Sequence, residues 1–415
     1  MSSLFFLLIL SGCSFFIQKI DSEIVNQKNY LKNIPEKKTF CPLDRSIHQQ
    51  VINANSKSQE IFEDFTQKNP QYHFIDRLIF WSLIQMSIRP DQSSPSSRLQ
   101  VLISHNKSPL YLDFFSENDE AQYPFLYGLD WIGKKFKAKN LEFYAKILDN
   151  ELSQKFKVEK DLEIFLELNK EKLKQDSALA PFFVRGTEVL KEGERIPLLN
   201  FTQLIKVYRK NESKQKIIVN TILNQFKTDM NQAGYCNYDF NLYQNSIFLI
   251  DQSMPVSNIF GLATIQDTFM ASTTQKIDQI QAIDSLPLFY GSSKVRSSAI
   301  CMVEKDDSFI WAISNLSRDP GQHLFHLIRY GLARSQRIED VDKLIRHSRY
   351  LFLSDPLRLI IESNRSRSDQ IENLLKLNVP VYNADKLGNI WSFSKFKNTG
   401  RFIIDDRNQG SFSCK

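Results

Sequence analysis

The chain has 415 residues and 42% hydrophobic composition, enough apolar material for a sizeable core. Its 53 Lys and Arg against 47 Asp and Glu leave a net charge of +6, too dilute over this length to argue for nucleic acid, and 13 Gly against 32 Phe excludes glycine-rich propellers and low-complexity stalks. No later segment reaches membrane-spanning length, so the body is expected to be soluble.

The first apolar run, Leu4 to Leu10, is uncharged and well short of the roughly 18 residues a span needs. It leads into Leu10-Ser11-Gly12-Cys13, which resembles a bacterial lipobox: a branched residue, two small residues and the cysteine that takes the lipid. No Lys or Arg precedes the run, a departure from the usual signal peptide. The resemblance implies a signal peptide at 1–12, cleavage before Cys13 and a lipoprotein held to the membrane by acyl chains on Cys13. Ser14 stands where an Asp favours inner-membrane retention, which implies the outer membrane, with the body periplasmic or surface-exposed.

Residues 13–43, polar and mixed in charge, read as the lipidated cysteine and a tether. From 44 to 235 the signals are mainly helical. Phe74, Leu78, Trp81, Ile84 and Ile88 recur near a 3.6-residue period, predicting a helix over 72–88 that ends before Pro90. A turn-rich loop at 91–97 precedes a strand over Leu99 to Ser104. Asn140 to Gln175 reads as two helices, and Ser213 to Gln232 as another stopped by Gly234.

After Cys236 short β-like runs take over: Ser246 to Asp251, Asn258 to Thr264, Thr268 to Ser272, Ser298 to Glu304 and Phe309 to Ser314. Asp319-Pro320-Gly321 opens a helix expected to run through Arg334, with Asp319 as its cap. Leu357 to Glu362, Asp369 to Leu377 and Val379 to Asn383 read strand, helix, strand. The fold class is α/β or α+β: a mostly helical region at 44–235, then an α/β domain at 236–415.

Four cysteines remain beyond Cys13: Cys41, Cys236, Cys301 and Cys414. An even number in an oxidising compartment makes them disulfide candidates, with three possible connectivities that spacing does not separate.

The sequence holds no HExxH, G-x-S-x-G, P-loop, dinucleotide fingerprint or CxxC. Its most suggestive cluster is His323, His326 and Arg329 behind the Asp319 cap, where two imidazoles three residues apart could reach one ligand. The plainer reading is a capped helix followed by surface histidines, with no metal, no cofactor and no catalytic residue. A cleft where the histidines meet a carboxylate or Arg would favour an enzyme, and a pair facing open solvent a binding protein.

Ser298 to Ser317, with Ser314-Asn315 near its end, is similar to the strand–turn–strand of phospholipase D-like domains, and Lys395 with Phe402 to Asp406 weakly echoes the same module. That family's chemistry needs a histidine two residues before a lysine, and Phe393 precedes Lys395 here. The resemblance therefore implies a degenerate, non-catalytic member, because no phosphohistidine can form. The sequence leads to an outer-membrane-anchored lipoprotein with a binding or structural role in the envelope, or alternatively an envelope hydrolase. Its expected partners are the membrane, through the anchor, and an unidentified envelope protein or ligand, not nucleic acid.

Overall fold

The computed structural model describes residues 23–24 and 38–415, apart from 44–45, 54–55, 106–107, 118–121, 152–156, 197–198, 228–232, 245–255, 278–281, 284–285, 296, 306–307, 355–356, 367, 377–378 and 408–409. The signal peptide, Cys13 and the strand expected at Ser246 to Asp251 lie outside the described residues.

Two antiparallel sheets stack face to face. The larger joins β2 (Gln49–Asn53), β3 (Arg98–His105), β4 (Ser108–Phe115), β7 (Ile218–Asn220), β10 (Val256–Thr264), β11 (Thr268–Gln275) and β21 (Ser411–Cys414) in the order β21-β2-β10-β11-β3-β4-β7. The second joins β8 (Asn224–Lys227), β9 (Ala233–Cys236), β14 (Ala299–Lys305), β15 (Ser308–Asn315), β19 (Asn389–Phe396) and β20 (Thr399–Ile403) in the order β20-β19-β15-β14-β9-β8.

Side chains alternate across each strand, so each sheet has two apolar faces to cover. Leu102, Ile259 and Met270 of the larger sheet meet Ile300, Ile313, Trp391 and Phe393 of the second in one core between the sheets. The larger sheet's other face, with Leu99, Val101, Phe114 and Leu262, packs beneath α1 (Ser56–Lys68), α2 (Phe74–Ile88), α3 (Pro124–Lys135), α4 (Leu141–Glu151), α5 (Lys160–Leu168), α6 (Lys170–Gln175), α7 (Ala180–Phe183) and α8 (Phe201–Asn211). Helix α2 lies inside this layer, with fourteen of its fifteen residues buried. The second sheet's outer face carries α9 (Phe240–Gln244), α10 (Pro320–Arg329) and α11 (Ile338–Arg346) over Cys301, Ala312 and Ile390. The result is four layers: helices, sheet, sheet, helices.

A smaller sheet, β1 (Glu23–Ile24), β18 (Val381–Asn383), β17 (Leu357–Ile361) and β16 (Tyr350–Ser354), flanks the sandwich. Its parallel β17–β18 pair is bridged by α12 (Ser368–Leu375), the strand–helix–strand unit read from the sequence. Two small ribbons, β5 (Val184–Arg185) with β6 (Glu188–Val189) and β12 (Ala282–Ile283) with β13 (Leu286–Phe289), complete the set.

The mixed α and β class holds, and its organisation departs from expectation in four places. The division at 235/236 cuts through the larger sheet, which takes β2, β3, β4 and β7 from the first region and β10 and β11 from the second. The helix expected over Ser213 to Gln232 is instead a short 3₁₀ turn and two strands: β7 pairs with β4 and β8 with β9, so pairing at the sheet edges overrides a helical pattern. The stretch Asn140 to Gln175 holds three helices, not two. The tether stops short of 43: the Ile404 N–H donates to the Thr39 carbonyl, Cys41 is buried, and β1 pairs with β18.

Candidate functional site

Between the sheets the facing side chains change from apolar to polar toward one end. On the larger sheet the inward series continues from Leu102 to Gln100 and Arg98, from Tyr111 to Asp113, from Met270 to Ser272 and Thr274, and from Ile259 to Ser257. On the second sheet it runs from Ile300 back to Ser298, from Ile313 to Asn315 and from Trp391 to Asn389. Register aligns these residues into rows: Ser272 pairs with Gln100 and Gln100 with Asp113, while Asn315 pairs with Asn389. Ala299 faces Ser314, which sets Ser298 beside Asn315.

The charged members cancel. Arg98 forks onto Asp113, with Nε to Oδ1 at 2.8 Å and Nη2 to Oδ2 at 2.5 Å, and its Nη1 donates to the Val295 carbonyl at 2.9 Å. The Tyr111 hydroxyl donates to Asp113 at 3.2 Å, and burial together with that carboxylate pushes it well above the ordinary phenol range. Gln100 Nε2 donates to the Tyr111 oxygen at 3.1 Å.

Two serines enter this end just ahead of β14. Ser298 is buried and pinned, its Oγ 2.7 Å from Ser272 Oγ. Ser297 is only half-buried, and its Oγ receives Asn237 Nδ2 at 3.4 Å. Asn237 also donates to the Ser298 carbonyl at 2.8 Å and accepts the Ile300 N–H at 2.8 Å, so one side chain fixes the entry to β14. Beside it, Cys236 is bonded to Cys301 across the β9–β14 pair. Cys41 is bonded to Cys414.

Much hydrogen-bonding capacity here is unspent. Gln100 Oε1, Ser257 Oγ, Thr274 Oγ1, both polar atoms of Asn315 and Asn389 Oδ1 are buried without a partner among the described residues. Protein interiors seldom leave such groups unsatisfied, and their gathering at one end of a core marks a place adapted to something other than stability.

The histidines singled out in the sequence lie elsewhere. Asp319 does cap α10, its carboxylate accepting the Gln322 N–H, and the helix stops at Arg329 because Gly331 takes a φ of +115°. His323 is buried, not at the surface, with Nε2 2.8 Å from Ser317 Oγ. Burial holds its pKa well below the usual imidazole range, and Arg349, His326 and Arg407 push the same way. His326 stacks on Tyr350 at 4.1 Å between ring centroids, and burial pushes it down to about 4. Both line a cavity of about 20 Å3 with His347 and Arg349, large enough for one water at most, while Arg329 is exposed. The pair therefore forms neither a cleft nor a solvent-facing patch. Among the described residues no group of three His, Cys, Asp or Glu could hold a metal ion.

Ser297, Asn237, Gln100 and Asn389 were not marked as site residues by the sequence. A pair of serines opening a strand was the available signal, and it carries no motif.

The four-layer fold is shared with known proteins. The solved structure of LmbA2991HD aligns over 91% of this chain and 100% of its own, with TM-score 0.64 and 7% identity. Cephalosporin acylase from Bacillus halodurans aligns over 94% of this chain and 99% of its own, with TM-score 0.58 and 8% identity. At these identities the likeness is one of fold. No family model and no curated protein matches the sequence.

Proposed function

We propose that the chain is a hydrolase of amide bonds whose nucleophile is Ser297, acting as the first residue of a cut chain. The observation that carries this reading is the half-buried Ser297 hydroxyl at the mouth of the polar end, aimed by Asn237 at the start of β14. A fold shared with an acylase supports it.

The chemistry follows from what surrounds that hydroxyl. A serine oxygen is a weak nucleophile until a base takes its proton, and neither neighbour can do so: Arg98 is a permanently protonated guanidinium, and the Tyr111 phenol keeps its proton beside Asp113. A free α-amine on Ser297 itself would supply the base, as hydroxyl nucleophiles at chain N-termini do. Ser297 is internal to the encoded chain, so the Arg296–Ser297 bond must first be hydrolysed, leaving a carboxylate on Arg296 and an amine on Ser297. Ser297 Oγ then attacks the substrate's amide carbonyl, its proton passing through the α-amine to the leaving nitrogen; the C–N bond breaks, the amine product leaves, and water attacks the Ser297 ester to release the acid and restore the hydroxyl. Asn237 Nδ2 is spent on Ser297 Oγ and the Ser298 carbonyl, so Asn315 Nδ2 is the amide donor at this end that can hold developing negative charge on the attacked carbonyl oxygen.

We also propose that the protein is anchored through Cys13, with its body in an oxidising compartment; two disulfides support that placement. Cys13→Ser is expected to leave the membrane fraction or to accumulate uncut.

Intact-mass measurement tests the catalytic reading. The wild-type protein should appear as two pieces divided between Arg296 and Ser297, whereas Ser297→Ala stays whole and Ser298→Ala is still cut. A wild-type chain that remains whole, folded and inert toward acyl anilides would sink the proposal.

A further inference from the structure

Both disulfides cross the division proposed between Arg296 and Ser297. Cys41 and Cys236 fall in the first piece, Cys301 and Cys414 in the second. Cys41 is bonded to Cys414 and Cys236 to Cys301, so each bond takes one cysteine from either side. Pairing Cys41 with Cys236 and Cys301 with Cys414 would have left the pieces unlinked.

Native packing already interleaves the two pieces. The first supplies β8 and β9 to the second sheet and every strand of the larger sheet but β21, and the second supplies β14, β15, β19, β20 and β21. The cross-links therefore act mainly on the unfolded state. An uncut chain unfolds to one molecule, whereas a cut chain without cross-links unfolds to two that must find each other again. Joining them makes that encounter intramolecular, at an effective concentration on the order of millimolar for short connections. Cys301 lies just beyond Ser297 and directly opposite Cys236 in the β9–β14 pair, so the inner bond also retains the new chain end.

The bonds differ in their exposure to reductant. Cys236 and Cys301 are buried in the core beneath α10 and α11, at 0% and 1% exposure. Cys41 is buried too, but Cys414 is only half-buried, on the edge strand β21. Thiol–disulfide exchange needs a thiolate to reach a sulfur, so the inner bond is shielded for as long as the fold holds.

We propose that the cut leaves a two-piece protein joined by both disulfides: cleavage bares the Ser297 amine without releasing the piece that carries it, and the shielded Cys236–Cys301 bond holds when Cys41–Cys414 is reduced. This inference rests on the cut at 296–297. Because Cys13 belongs to the first piece, the same bonds tie the Ser297 piece to whatever holds Cys13.

The test is electrophoresis of the whole protein in denaturing detergent, with free thiols alkylated first. Without reductant the wild type should run as one species, and after reduction as two. The two masses of the cut chain should likewise appear only after reduction. Cys41→Ser with Cys414→Ser should behave in the same way, held by the inner bond alone. Native wild type treated with dithiothreitol before alkylation should stay joined, and should part when urea is added. Unfolded in urea and diluted, the unreduced protein should regain its tryptophan fluorescence equally over roughly a hundred-fold range of concentration, while the reduced protein refolds with about five-fold lower yield at the dilute end. Two species without reductant, in wild type or variant, or parting of the native protein by dithiothreitol alone, would overturn the proposal and leave the catalytic reading standing. So would an unreduced refolding yield that falls on dilution. A chain still whole after reduction in urea overturns the cut, and this proposal with it.

Discussion

Cys236 and Cys301 are joined across β9 and β14, and the residue after Cys236 is the Asn237 that aims Ser297. The bond closes a 65-residue separation that includes α9, β10 and β11. A cross-link of that span is worth about 2–4 kcal/mol of stability, and here it also fixes the strand pair from which Asn237 projects. Replacing both cysteines by serine should therefore cost about that much in urea unfolding and slow cleavage at 296–297. If the double variant is cut at the wild-type rate, the bond has no part in placing Asn237.

The sandwich and the flanking sheet are locked together by a buried ionic group. Arg407 donates to both Glu362 oxygens at 2.6 Å, to Asp405 at 3.2 Å and to the Ile345 and His347 carbonyls. Arg349 meets Asp405 at 2.6 Å. Burial acts to raise the Asp405 carboxyl, but Arg349, Arg407 and the Ile390 and Arg407 N–H groups outweigh it and hold it below the ordinary range. Stability from this group is thus present above the unfolded carboxyl pKa and is lost as pH falls through the lower folded value. Arg407→Met takes the forked guanidinium from Glu362 and leaves Asp405 with Arg349 alone; it should cost about 3–5 kcal/mol, with Arg407→Lys unable to restore the forked contacts. Urea curves decide this, and a loss below about 1 kcal/mol would show the cluster to be dispensable.

What the sequence disclosed, and what it hid, follows from how far each signal reaches along the chain. Helix α2, the strands β10, β11, β14 and β15 and the Asp319 cap were legible because periodicity, turn residues and capping are local. The polar end was not. Its members Arg98, Asp113, Asn237, Ser272, Ser298 and Asn315 come from six strands or strand ends, each as one polar residue at the end of an apolar alternation, which looks like ordinary fraying. The histidines misled for the converse reason. Helical spacing brought His323 and His326 together, but Tyr350 of the flanking sheet and the His347–Arg349 segment cover that face of α10, and burial rather than chemistry sets their environment.

His326 should mark the acid limit of the fold. Its folded pKa of about 4 is below the ordinary value of 6.5, so the unfolded chain binds the proton more readily. Its contribution is complete above pH 6.5 and declines as pH falls toward 4, on the order of 1 kcal/mol per pH unit where the two states differ by one proton. His323, shifted the same way by burial, adds to it. Replacing His326 by Phe keeps a ring against Tyr350 and should flatten stability between pH 6.5 and 4. The same slope in wild type and variant would assign the acid limit to other groups.

Asn315 offers the sharpest separation of stability from function. Both of its amide atoms are buried without partners among the described residues, at 2% exposure, in the row shared with Ser298 and Asn389. Desolvating an amide that makes no hydrogen bond costs about 1–3 kcal/mol by protein mutational measures, and a leucine of similar size removes that cost. A residue kept for folding alone would lose stability on replacement. Asn315→Leu is instead expected to raise the urea midpoint, by an amount on the order of 1 kcal/mol, while suppressing cleavage at 296–297 and anilide hydrolysis together. Asn315→Asp should fold less well, because a buried unpaired carboxylate is costlier than the amide. A leucine variant that is both less stable and fully active would show that the polar end belongs to the core and that the catalytic site must be sought elsewhere.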